Sequence, residues 1–298
     1  MVNAIIIDPS GQPDREALER NVADLVRRGV NLESGGYPPS AGERLRETGV
    51  ARRALLLADA LDNYDVVICA RGGYGTSDLL ERLDWRRLES LTPRLVVGFS
   101  DITALQAALY VRLGWRSLHA PMPGSSLWRA EGDDVSVVVG ILHAWPGTCT
   151  GALPLACDES FEPVRGRLFG GCVSVLGALI GTPYFPASLR GHIVFLEDVN
   201  ETAPRVLRSW NQWRQSGILD GVSAVVLGRF THNDGVECRL LDELPAMIRE
   251  RSECPVFTST AFGHVSPNMP IMTGADGVIA AGRLTWSTEP LSSSPGTG

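Results

Sequence analysis

Along the first half of the chain, short apolar runs alternate with stretches whose apolar positions recur every three to four residues. Residues 4–7, 65–70 and 95–99 read as strands. Residues 14–28, with apolar positions at Leu18, Val22, Leu25 and Val26, read as a helix, as do 51–62, 76–83 and 102–113. Continuous apolar strands separated by helices predict a parallel sheet covered on both faces. In such sheets ligands bind beyond the carboxyl ends of the strands, where the strand order reverses.

The rhythm breaks between His143 and Val164, where Trp145-Pro146-Gly147-Thr148, Pro154, Asp158-Glu159-Ser160 and Pro163 cluster. Such punctuation marks a linker or domain boundary. Beyond it, 167–169, 193–196, 224–227, 256–258 and 278–281 read as strands, and 172–180, 205–215 and 239–251 as helices. The expected organisation is an N-terminal domain over 1–150, a C-terminal α/β domain over 151–290 and a solvated tail over 291–298. A length of 298 residues suits either two medium domains or one large one.

Composition narrows the partners. The chain has 27 basic and 34 acidic side chains, a net charge of −7. With no run of Lys or Arg, this argues against nucleic acid or an anionic membrane surface. No apolar stretch reaches the roughly 18 residues needed to span a bilayer. Met1–Asp8 lacks the basic n-region of a secretory signal, so the expected location is the cytoplasm. The six cysteines form no C-x-x-C pair, and no H-E-x-x-H is present, so neither a metal nor another cofactor is expected. The sequence leaves the assembly open, a homodimer being one option.

Several places carry candidate chemistry. In Val96-Val97-Gly98-Phe99-Ser100-Asp101-Ile102, a buried strand ends at a glycine and a serine sits on the turn that opens a helix. This is the mechanical idea of a nucleophile elbow, with the following N–H able to line an oxyanion hole. Ser is equally a preferred N-cap, and the pattern is not G-x-S-x-G. Arg71-Gly72-Gly73-Tyr74-Gly75 follows the 65–70 strand, and its glycines let backbone approach a ligand. It lacks the residues of a phosphate-binding loop, and a plain turn is the alternative. Among the five histidines, His264 stands out in the loop Phe262-Gly263-His264-Val265-Ser266-Pro267. For the acid that would orient it, Glu197 ends an apolar run, with Asp198 and Glu201 as alternatives. Arg71 and Arg229 each follow an apolar strand where an anion could be met, although surface arginines are common.

Together these stretches resemble the serine L,D-carboxypeptidases, the muramoyltetrapeptide carboxypeptidase family that also includes microcin-immunity peptidases. The match extends through His119-Ala120-Pro121-Met122, Gly166-Arg167-Leu168-Phe169-Gly170-Gly171, Gly181-Thr182-Pro183-Tyr184 and Leu196-Glu197-Asp198-Val199-Asn200-Glu201, from about residue 1 to 280. The resemblance implies a Ser100–Glu197–His264 triad, with backbone N–H groups of Gly73 and Asp101 as oxyanion donors. It implies a flavodoxin-like or glutamine-amidotransferase-like N-terminal domain carrying the serine. A C-terminal domain would carry Glu and His, with the active site in the cleft between the two. The implied substrate is a small murein tetrapeptide that loses its terminal D-alanine in cell-wall recycling. A microcin-immunity-like amidase acting on peptidyl-aminoacyl nucleotide conjugates and a non-catalytic peptide-binding module are the alternatives. Ala120 departs from the glycine usual in the family at that place, which bears on substrate fit rather than on the triad.

Overall fold

The computed structural model describes residues 2–35, 41–156 and 161–289. The expected tail and Cys157 lie outside them. The chain is a mixed α/β structure built on two sheets. The strands are β1 (Asn3–Ile7), β2 (Asn31–Ser34), β3 (Val66–Cys69), β4 (Leu95–Gly98), β5 (Ser117–His119), β6 (Thr150–Pro154), β7 (Val164–Cys172), β8 (His192–Val199), β9 (Ala224–Thr231), β10 (Val256–Gly263), β11 (Ile271–Thr273), β12 (Asp276–Ala280) and β13 (Arg283–Ser287). The first sheet has the order β11-β5-β4-β3-β1-β2 and the second β10-β9-β8-β7-β12-β13-β6.

In the first sheet β1 to β5 run parallel, and β3 and β4 are buried at every position. That is why both read as uninterrupted apolar runs. The order reverses beside β1, between β2 and β3, so the loops after β1 and β3 lie next to each other. In the second sheet β7 to β10 are parallel, and β12, β13 and β6 add an antiparallel flank.

Although most of the chain beyond 150 builds the second sheet, β11 returns to the first and pairs antiparallel with β5. One buried apolar cluster runs from Ile5, Val67 and Val96 through Leu105 and Leu109 to Phe169, Val194 and Leu227. The two sheets therefore share a core.

Some elements differ from their sequence reading. The 76–83 segment is a 3₁₀ helix, Ser77–Arg82, because Thr76 gives both its N–H and its hydroxyl to Asp101 instead of capping a regular helix. The 239–251 helix begins four residues earlier, at Gly235, since the Asp234 carboxylate caps Val236 and Glu237 N–H. Only Val173–Gly177 of the 172–180 segment is α-helical. The punctuated 143–164 stretch contains β6, which pairs with β13.

Candidate active site

Ser100 sits just past the carboxyl end of β4, where a single 3₁₀ turn, Ser100–Ile102, leads into the helix Thr103–Leu113. Its φ is +62°, a left-handed conformation that costs a non-glycine residue about 1–3 kcal/mol. The surroundings hold it there. A Cβ on Gly72 would lie 2.8 Å from Ser100 Cβ, and one on Gly73, with φ +136°, would lie 2.7 Å from Gly11 Cα. The Gly-rich loop thus packs its bare backbone against both the serine and the loop after β1. The serine side chain caps no helix. Its hydroxyl lies 2.9 Å from His264 Nε2.

The neighbouring Asp101 ties this turn together. Its buried carboxylate accepts from Ser10 Oγ (2.5 Å), Thr76 N–H (2.9 Å) and Thr76 Oγ1 (2.6 Å). Ser10 follows β1, Thr76 follows β3 and Asp101 follows β4, so one anion joins three loops at the sheet's carboxyl edge.

The other half comes from the second sheet. Glu197, in β8 and fully buried, meets His264 Nδ1 through Oε2 at 2.5 Å, and Oε1 has no hydrogen-bond partner. His264 follows directly on β10. The sequence left Asp198 and Glu201 open as alternatives, and the structure separates them from His264. Asp198 caps the Val173–Gly177 helix, accepting from Ser174 N–H at 2.7 Å, while Glu201 pairs with Arg205 on the surface. Burial pulls the His264 pKa down, but the charge and hydrogen bond of Glu197, aided by Asp198, outweigh it and raise the imidazole above its ordinary value. A ring that bonds a carboxylate through one nitrogen and a serine hydroxyl through the other can accept the hydroxyl proton.

The loop bearing His264 is held from below. Arg229 donates to the carbonyls of Val265, Ser266 (3.0 Å) and Pro267 (2.5 Å), and Gly263 N–H donates to Asn268 Oδ1 at 3.2 Å. Arg229, which the sequence offered as one place where an anion could be met, turns its guanidinium to these carbonyls and so holds the histidine loop. Arg71 is exposed and gives one N–H to Gln12 O at 2.6 Å.

Sequence reasoning missed the support beneath the Gly-rich loop. Arg53 is fully buried and donates to the carbonyls of Pro9 (2.6 Å), Gly75 (3.0 Å) and Arg44 (3.1 Å). Arg44 in turn pairs with the buried Asp8 at 3.0 Å, whose pKa burial pushes up to about 6 against the opposing pull of Arg44. The available signal was an arginine on the core-facing stripe of its helix, among Val50, Ala54 and Leu57. Among the described residues, no group of His, Cys, Asp or Glu could hold a metal ion, and no helix is long and apolar enough to cross a membrane.

Two family models match the chain: the LD-carboxypeptidase N-terminal domain over residues 5–120 and the LD-carboxypeptidase C-terminal domain over 165–279. The murein tetrapeptide carboxypeptidase of Pseudomonas aeruginosa is 30% identical, the alignment covering 94% of each chain. The microcin C7 self-immunity protein MccF of Escherichia coli is 25% identical over 86% of this chain and 83% of its own. The crystal structure of muramoyltetrapeptide carboxypeptidase from Oxalobacter formigenes superposes with a TM-score of 0.78 at 28% identity, covering 96% of this chain and 98% of that one.

Proposed function

The chain belongs to the LD-carboxypeptidase family, and on that premise we propose that it is a serine-type L,D-carboxypeptidase working through Ser100, His264 and Glu197. The observation that carries the reading is the continuous chain from Ser100 Oγ through both His264 ring nitrogens to the buried Glu197 carboxylate, with contacts of 2.9 and 2.5 Å. A binding module has no need of a strained serine aligned with a carboxylate-backed imidazole.

In the proposed reaction, Ser100 Oγ attacks the carbonyl that joins an L-centre to a C-terminal D-residue, and its proton passes to His264 Nε2. Glu197 fixes the imidazole tautomer and stabilises the imidazolium. The negative charge on the carbonyl oxygen falls to the N–H groups of Asp101 and Gly73, a role in which losing one donor costs about 10²–10³ in rate. His264 then gives its proton to the departing amine, and the D-amino acid leaves. Water, deprotonated by the same nitrogen, opens the acyl-enzyme and regenerates Ser100.

The substrate would lie in a cleft between the nucleophile-bearing and the acid–base-bearing sheets, with Arg71 facing its terminal carboxylate. A murein tetrapeptide ending in D-alanine fits this chemistry, in cytoplasmic recycling of cell-wall peptides. Similarity to MccF supports a second reading, an amidase acting on peptidyl-aminoacyl nucleotide conjugates.

A site that pairs the free carboxylate discriminates against a substrate lacking it, because the charge-assisted hydrogen bonds to that group are lost. A tetrapeptide ending in D-alanine is expected to release that residue. Its C-terminal amide and its L-alanine epimer should be cut at least about 10²-fold more slowly. Equal turnover of all three, measured as released amino acid, would refute the L,D-carboxypeptidase reading. Preferential cleavage of an aminoacyl-sulfamoyl-adenosine would select the second.

A further inference from the structure

His119, the last residue of β5, is fully buried, and neither of its ring nitrogens has a hydrogen-bond partner. Its surroundings are aromatic. The ring of Phe99 stands edge-on at 5.7 Å between centroids, Phe195 at 5.6 Å and Phe262 at 6.4 Å, and Phe195 and Phe262 touch each other at 6.2 Å.

The places of these three phenylalanines in the chain matter more than their number. Phe99 immediately precedes Ser100, Phe195 stands two residues before Glu197, and Phe262 stands two before His264. In addition, Phe99 packs on the His264 ring itself at 4.8 Å. One imidazole therefore touches the strand end behind every member of the constellation. Those three strand ends come from two different sheets. Backbone hydrogen bonds fix β8 against β9 and β9 against β10, but between the ends of β4 and β8 no such ladder runs.

We propose that His119 is a positioning residue: its ring keys Phe99, Phe195 and Phe262 together and so sets the register of Ser100 against Glu197 and His264. The inference rests on the catalytic reading above. His119 acts here as an aromatic ring rather than as an acid or base. Burial holds it neutral, pushing its pKa down to about 4, with the charge of Glu197 opposing that shift and His264 adding to it. Edge-to-face pairs carry directional preference that an aliphatic side chain of like volume lacks.

The test compares two substitutions with opposite expectations. His119→Phe keeps the ring and should retain kcat within about threefold, whereas His119→Leu should lower it at least about tenfold with KM changed less than about threefold, since small misplacements act on the reacting geometry rather than on binding. Phe262→Leu removes the contact from the histidine side and should share the signature of His119→Leu, which covers the case in which His119→Leu does not fold.

A second readout needs no turnover. The His264 imidazole, titrated by NMR in the resting protein, meets Glu197 from β8, feels the charge of Asp198 beyond it, and has His119 of β5 and the uncharged Phe99, just past β4, beside it. A looser contact with Glu197 lets burial dominate, so in His119→Leu the titration should move to lower pH, while His119→Phe should leave it in place. If the L,D-carboxypeptidase reading failed, the titration would still judge His119. A His119→Leu protein with a lower Tm but unchanged kcat and unchanged His264 titration would overturn the proposal, as would a His119→Phe protein as impaired as His119→Leu.

Discussion

The two halves of the site are held by different means. On the side of the proposed nucleophile the restraint is in the backbone. Ser100 takes a positive φ, Gly72 and Gly73 leave no room for a side chain, and the Asp101 carboxylate binds the loops after β1 and β3. On the acid–base side the restraint is in side chains: Glu197 on His264, and Arg229 under the loop that carries it. A nucleophile must occupy one position and needs a rigid frame. A base must be oriented and also electrically supported as it gains a proton, and backbone geometry alone does not supply that support. Damage to the first half should therefore change rate without changing titration. Damage to the second should change both.

The largest expected effect is at Glu197. Glu197→Gln keeps the volume but removes the charge that outweighs burial at His264, and kcat should fall by about 10³–10⁴. The sign of the accompanying shift is fixed. His264 works as a base when neutral, so in the wild type kcat/KM should rise with pH through an apparent pKa above the ordinary histidine value of about 6.5. In Glu197→Gln the acid limb should move to lower pH. A limb that stays where it was would remove His264 from the role of base.

A smaller effect is expected at Gly72. The added methyl of Gly72→Ala would come within 2.8 Å of Ser100 Cβ and displace the turn. A misplacement of the nucleophile by about 1 Å costs about 10² in kcat. Because no charge near His264 changes, the pH profile should keep its midpoint. A displaced midpoint would show that moving the serine turn also disturbs the Glu197–His264 contact and would break the comparison.

How much of this was legible in the sequence depends on which interaction carries the information. The strands β1, β3 and β4 are buried on both faces, so their apolar runs announced a parallel sheet, and the Gly98-Phe99-Ser100 turn announced a site at its edge. Composition could not choose between Ser100 as a helix cap and as a nucleophile. That choice depends on a residue 164 positions away, whose ring nitrogen lies 2.9 Å from the hydroxyl. For the same reason Glu197, Asp198 and Glu201 looked alike until the fold gave each a different partner. The carbonyls that Arg229 serves were invisible locally because they lie 36 to 38 residues further on. The short strands β2, β5 and β11 were silent, since three or four residues give too little periodicity, and β11 belongs to a sheet whose other strands end at residue 119.

The central claim is that Ser100 is a nucleophile activated by His264, and a fluorophosphonate label followed by peptide mapping tests it most directly. The wild-type protein should take up one label, on Ser100. Ser100→Ala should take up none, and His264→Ala should react at least about 10³-fold more slowly, because the hydroxyl loses its base. Labelling at another residue, or equal labelling of wild type and Ser100→Ala, would contradict the account.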